Sequence, residues 1–333
     1  MSEYAIVRTH GLKTRLLPRE TILSLTQAEN IENFVNLLKN TEYSDIIPET
    51  ADLEAIIDAF SKKFWERTFM ILKISPENFA EFLRSYLSKF DIDALLYFIG
   101  KNILGIEKPS REFPLHGISK TLLNKMKQIK TVDDIVFYLK CYLNYEKVDT
   151  KRIEKALETK LLPFIESVLL YMFYVNVIEK TNKLPETTKS IVKTIIGIEL
   201  DTFNSMIALS RKLYGYDIQY IREMLIPHTH RIRRTTLEKV SQIEDKEEIL
   251  KLLSPYREII EVLLEKGEIH AYVHMNRKIL SFLNSKRVEI AHDLAYMFYY
   301  IKLAEFEWKN LALCAHAIYH HFPPEEIQTY LII

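Results

Sequence analysis

The chain has 333 residues, 48% hydrophobic and 27% charged, an ordinary globular balance that excludes disorder, collagen and full membrane embedding. Lysine plus arginine and aspartate plus glutamate both number 45, so no net charge draws the whole chain to nucleic acid or anionic lipid. Seven glycines, none adjacent or one residue apart, cannot write a dinucleotide fingerprint or a Walker loop, which need glycine where the backbone approaches phosphate.

No cofactor site is therefore expected. Scarce glycine also disfavours hairpins and strand-helix loops, and the expected fold class is all-α, in two or three domains at roughly 100 to 200 residues each. Cys141 and Cys314 are too few for a disulfide framework and show no CxxC spacing, which fits a reducing compartment. Both are expected on apolar helical faces as inert small hydrophobes.

In chain order, the start carries charges at Glu3, Arg8, Lys13 and Arg15 with no apolar block between them, so it is not a secretory signal. Ser75-Pro76-Glu77 and Ser254-Pro255 each suggest a capping serine before a proline at the first helical position. Gly105 and Gly215 follow helical runs as C-terminal stops. Val132, Ile135, Val136, Leu139 and Leu143 make one apolar helical face, as do Phe203, Met206, Ile207 and Tyr214. The longest apolar stretch, Ser167–Ile178, is shorter than the roughly 20 residues a membrane helix needs, so no spanning segment is expected. The aromatic stretches Tyr171–Tyr174 and Tyr296–Tyr300 are expected in the core. Pro323-Pro324-Glu325-Glu326 places carboxylates at a helix start, where the dipole favours them.

Internal repetition says more than any single motif. A hydrophobic helix running into tyrosine occurs at Tyr43, Tyr145 and Tyr256. A second pattern surrounds Asp91, Asp201 and Glu307; three residues on stand Ala94, Asn204 and Asn310, and eleven further on Gly105, Gly215 and His321. Matching positions continue as Ile221 with Ile327 and Leu225 with Leu331. Both patterns share a spacing too long for a helix-pair solenoid, which predicts three small helical units, 1–115, 116–227 and 228–333, with approximate threefold symmetry.

Tyr4, Arg8 and Leu16-Leu17, then Leu38 to Tyr43 in the order Leu-x-x-Thr-x-Tyr, then Asp201, Asn204 and Arg211, then Glu305 to Leu311, follow one another as in a known family. The chain resembles the C subunit of the V/A-type rotary ATP synthases, called the d subunit in the eukaryotic vacuolar proton pump. Ala94 and Ala317 depart from the family pattern at the first asparagine and the third basic position. The resemblance implies three helical lobes in a funnel between the central stalk and the membrane rotor ring. It further implies a non-catalytic part on the cytoplasmic face of the membrane, with the D and F subunits of the central stalk and the proteolipid ring as partners.

Two constellations stand apart from that frame. His270 with His274, and His316 with His320, have the i, i+4 spacing that can share a metal, although no third ligand or HExxH accompanies them and structural histidines are the preferred reading. A helical metal-dependent enzyme using either pair is the alternative function. The basic run His228–Arg234, with Arg231, Arg233 and Arg234, turns acidic beyond and lacks stacking platforms, which argues against nucleic acid. It is expected to be a solvated connector or, if functional, a contact for an acidic partner surface. A helical scaffold for peptide or RNA is a third possibility.

Overall fold

Among the residues described by the computed structural model, 2–48, 52–106 and 120–333, the chain is helical and holds no strand, as the all-α expectation requires. The helices are α1 (Ser2–Lys13), α2 (Arg19–Leu25), α3 (Ile31–Leu38), α4 (Leu53–Ile74), α5 (Glu77–Leu87), α6 (Lys89–Asn102), α7 (Lys120–Met126), α8 (Val132–Cys141) and α9 (Thr150–Thr159). They continue as α10 (Leu162–Thr181), α11 (Glu186–Tyr214), α12 (Ile218–Met224), α13 (Arg234–Val240), α14 (Lys246–Leu252), α15 (Arg257–Lys266), α16 (Glu268–Lys286), α17 (Ala295–Tyr319) and α18 (Pro324–Thr329).

Short polar side chains start many of them by accepting an otherwise orphaned backbone N–H. Asn30, Asp52, Asp149, Asp217 and Asp245 do this for α3, α4, α9, α12 and α14, and Thr131 with Asp134 forms a reciprocal capping box on α8. Glu325 and Glu326 occupy the first turn of α18 as expected. The two Ser-Pro readings are corrected. The Ser75 hydroxyl donates to the Ile71 carbonyl at the end of α4, while Ser254 lies inside a 3-10 turn and α15 begins only at Arg257. The end of α4 takes Ser75 first, and a 3-10 turn takes Ser254.

The chain divides into two compact units; of the first, residues 2–48, 52–80 and 276–333 are described, and of the second 81–106 and 120–275. In the first, α17 runs along α4, with α1, α2 and α3 packed on it. Phe60 meets Phe34 and Tyr43 edge-on at 6.2 and 5.5 Å, and Phe64 stacks on Trp308 at 5.0 Å. Fully burying side chains of this size stabilises by roughly 1.5–3 kcal/mol each. In the second, α10 packs on α6, α9, α11 and α12, and α11 on α12, α13 and α15.

Helix α10 corrects the length on which the membrane expectation rested. The apolar stretch ending at Ile178 continues through Glu179 and Lys180, giving a 20-residue helix that by length and composition could cross a bilayer. Yet 56% of its apolar window is buried inside the chain, and Asn176 donates from it to the Ser85 hydroxyl, as in a core helix. The aromatic stretches are core: Met172, Phe173 and Tyr174 are buried, Tyr171 is half-buried, and Tyr296 to Ile301 are all buried.

Two predicted faces are only partly right. Ile135, Leu139 and Ile207 are buried, but Val132, Val136, Leu143, Phe203 and Met206 are half-buried and Tyr214 is exposed. On α11 the buried residues include Ile191, Ile195, Ile198 and Leu209 and, among them, the polar Asp201, Thr202, Asn204 and Ser205, which an apolar stripe does not predict. Cys314 is buried, which pushes its thiol up to about 12, whereas Cys141 is exposed at the end of α8, against expectation.

The glycine register has a backbone cause. Gly215 caps α11 at φ 74°, Gly105 lies beyond α6 at φ 70°, and His321 takes the matching place beyond α17 at φ 59°. A side chain in this left-handed region costs about 1–2 kcal/mol, partly offset in glycine by its greater unfolded-state freedom. His321→Gly is expected to raise stability by about 0.5–1 kcal/mol, seen as a higher thermal midpoint. A lower midpoint would mean that the His321 side chain makes a stabilising contact.

Candidate functional site

The repeated acids bring the two sequence patterns together. On α17, Glu307 accepts hydrogen bonds from the Tyr43 hydroxyl at 2.7 Å, from Arg67 at 2.5 Å and from the Leu17 backbone N–H at 2.5 Å. Glu307 and Arg67 are both buried, so this is a desolvated, charge-assisted pair. Burial alone would lower the Arg67 pKa, but Glu307 beside it holds it above its ordinary value. Burial and then Glu307 raise the Tyr43 hydroxyl well above its ordinary value. The Leu-x-x-Thr-x-Tyr motif aims that tyrosine: Thr41 donates its hydroxyl to the Leu38 carbonyl and accepts the Tyr43 N–H.

On α11, the fully buried Asp201 accepts backbone N–H bonds from His230, Arg231 and Ile232 at 2.8, 2.6 and 3.1 Å. Tyr256 faces it, its hydroxyl raised first by burial and then by the Asp201 charge. On α6, Asp91 acts likewise on Tyr145, whose hydroxyl shares a 2.8 Å hydrogen bond with Ser88. Tyr43 thus bonds to Glu307, while the Tyr256 and Tyr145 hydroxyls feel the charges of Asp201 and Asp91, the acids of the preceding repeats.

The asparagines repeat in detail. Asn204 accepts from the Ile226 N–H at 2.8 Å and donates to the Ile226 and His228 carbonyls; Asn310 accepts from the Ile332 N–H at 2.8 Å and donates to the Ile332 carbonyl. Both strap a chain segment 22 residues downstream. Ile221, Ile327, Leu225 and Leu331 are all buried beside these straps. Arg211, the basic residue of the sequence motif, is exposed, and its carbonyl accepts the Gly215 N–H.

The basic run is solvated, with His228 to Arg231 and Arg233 exposed, while its backbone is tied down by Asp201. Arg231 and Arg233 project exposed from the strapped backbone, whereas Arg234 is half-buried, paired with Glu238 at 2.9 Å and donating to the Arg222 carbonyl. His230 lies directly over Gly197, where an added Cβ would stand 2.3 Å from its Cγ. Gly197→Ala is expected to cost about 1–3 kcal/mol through this overlap, and His230→Gly in the same chain to recover most of it, as read from chemical denaturation midpoints. Equal losses in both chains would place the cost elsewhere.

Sequence reasoning did not find Arg67 or Gly197. Arg67 belongs to no motif; Gly197, isolated within a helical pattern, was the available signal of a close approach. On α17 a second buried set places Lys302 at 3.0 Å and Lys309 at 2.7 Å from Glu305.

The histidine pairs build little. A His270 ring nitrogen lies 3.1 Å from the Lys266 carbonyl, and His316 and His320 are exposed. Among the described residues no three His, Cys, Asp or Glu side chains gather as a metal would require. An open cleft of about 350 Å3 sets Lys140 and Lys147 against Glu146 and Asp149, a mixed lining with no net preference for either sign. The arrangement as a whole is suited to holding helices rigidly in register.

The ATP synthase (C/AC39) subunit family profile matches residues 5–330. The chain is 26% identical over 276 residues to the A-type ATP synthase C subunit of Pyrococcus furiosus, covering 80% of this chain and 72% of that one. It is 23% identical to the corresponding A-type ATP synthase protein of Thermococcus kodakarensis, with 88% and 81% covered, and 22% identical to that of Methanocaldococcus jannaschii, with 99% and 86% covered.

Proposed function

The chain belongs to the ATP synthase (C/AC39) subunit family, and from that premise we propose that it is the non-catalytic part that couples the central shaft to the membrane proteolipid ring. The observation that carries this reading is the family match along nearly the whole chain. The buried clamps support it: a torque-transmitting part must resist deformation, and close-packed helices cross-linked by desolvated polar groups do so. In this reading the D and F subunits of the central stalk and the proteolipid ring are the partners, and the protein is peripheral on the cytoplasmic face.

The three units 1–115, 116–227 and 228–333 belong to the same proposal, with each acid reaching the tyrosine of the next unit. Arg231 and Arg233, exposed on a backbone fixed by Asp201, are proposed to meet an acidic partner surface, with Arg234 supporting them through Glu238.

The test is affinity purification of the tagged protein from gently solubilised membranes. Recovery with proteolipid and stalk proteins, and retention on the ring after the soluble head is stripped, is expected; a lone monomer carrying stoichiometric metal would overturn the proposal in favour of a histidine-pair enzyme. Charge reversal at Arg231, Arg233 and Arg234 is expected to weaken assembly, and unchanged assembly removes them from the interface.

A further inference from the structure

We propose that the surface formed by Tyr214, Tyr216, Ile269 and Tyr272 around the Glu268 carboxylate is a docking site for a basic segment of another subunit, one that presents lysine or arginine between apolar side chains. All five residues belong to the second compact unit. The proposal rests on the chain being part of an ATP synthase assembly, and it adds a contact opposite in charge to the one at Arg231 and Arg233.

The surface lies where the end of α11 meets the start of α16. The Tyr214 hydroxyl donates to Glu268 Oε1 at 2.8 Å, which ties the last residue of α11 to the first of α16. Just past that helix end, the Tyr216 ring centre lies 6.0 Å from that of Tyr214. On α16, Tyr272 stands four residues beyond Glu268 and three beyond Ile269, so these three share one helical face. The five side chains therefore form one continuous surface.

That surface is apolar and open. Ile269 is 71% exposed, Tyr214 53% and Tyr272 45%, while Tyr216 is half-buried. Single exposed apolar residues are ordinary, but a contiguous group dominated by tyrosine has the composition of an interface core. Tyrosine also offers a large, rigid contact area at small entropic cost.

The carboxylate selects the occupant. Glu265, three residues earlier, is paired with Lys246 at 2.6 Å, whereas among the described residues Glu268 pairs with no cation and accepts from a neutral hydroxyl. A carboxylate has about four acceptor positions, so most of its capacity faces outward. Ring faces attract an ammonium or guanidinium group, and the carboxylate accepts its N–H bonds. A bilayer is the poorer fit, because Asp217, exposed beside Tyr216, and Glu268 would both meet anionic headgroups.

The experiment uses the assembled complex in its own membranes. Benzoylphenylalanine replaces Ile269 in the full chain, the membranes are illuminated, and the linked peptides are sequenced by mass spectrometry. The expected product joins position 269 to a different subunit, at a segment with lysine or arginine within about one helical turn of the linked residue. Glu268→Lys is expected to lower the yield of this product about tenfold or more, and reversal of the partner's basic residue to glutamate to restore it. The restored product is itself the control for folding. A link only to lipid, to a second copy or within this chain overturns the proposal. So does no link, a linked segment without a basic residue, a yield indifferent to Glu268→Lys, or a loss that the reversal does not restore. The identity of the linked subunit does not enter, so failure of the coupling role, read from the purification, is a separate result.

Discussion

Glu307→Ala is expected to lower stability by about 3–5 kcal/mol, the cost of leaving a buried guanidinium without its counter-charge. Three donors lose their acceptor at once: Arg67, which keeps only a 3.3 Å bond to the Arg15 carbonyl, the buried Tyr43 hydroxyl and the Leu17 N–H. The loss comes from the stranded partners more than from the pair's net worth, because ionising two groups in the interior already carried a desolvation cost. Two further variants separate these terms. Glu307→Gln keeps one acceptor oxygen and should lose less, and Arg67→Met with Glu307→Leu removes both charges and should recover much of the stability. The midpoint of chemical denaturation measures all three. A loss below about 1 kcal/mol in Glu307→Ala would mean that water reaches Arg67 and that the clamp is not desolvated.

The origin of this clamp separates what the sequence could and could not convey. The repeat spacing identified Tyr43, Tyr145, Tyr256 and the acids Asp91, Asp201 and Glu307; Tyr43 bonds to Glu307, and the charges of Asp91 and Asp201 act on Tyr145 and Tyr256. The asparagine register was equally legible, down to the matched straps on Ile226 and Ile332. Which acid serves which tyrosine was not. Tyr43 meets Glu307 across 264 positions, a pairing between opposite ends of the chain that no local period encodes. Arg67 was silent for a similar reason: a lone arginine on a helix shows its purpose only when its partner's place is known. Part of the buried face of α11 was hidden because among its apolar residues stand Asp201, Thr202, Asn204 and Ser205, polar residues that an apolar-stripe argument assigns to solvent. Their burial is tolerable because Asp201 and Asn204 each engage backbone groups.

The first repeat is where symmetry fails, and there the largest pH effect is expected. Asp201 has three backbone donors and Glu307 has an arginine, a tyrosine and a backbone donor, whereas among the described residues Asp91 accepts no hydrogen bond and pairs with no cation. Ala94 stands where the other repeats carry asparagine. Burial therefore acts unopposed and raises the Asp91 carboxyl to about 7, next to Tyr138 and Tyr145, whose hydroxyls are raised as well, chiefly by burial. A folded-state pKa above the unfolded one means that the native chain holds a proton the unfolded chain releases. The stabilisation is complete below the unfolded value near 4 and is lost as pH rises through 7. Between pH 5 and 8 the wild type is expected to lose on the order of 2–3 kcal/mol from this group alone. Asp91→Asn, neutral throughout, should flatten that part of the profile and be the more stable form at pH 8. Denaturation midpoints across the range measure the difference, and parallel profiles for the two chains would show that a donor or water already stabilises the ionised carboxylate.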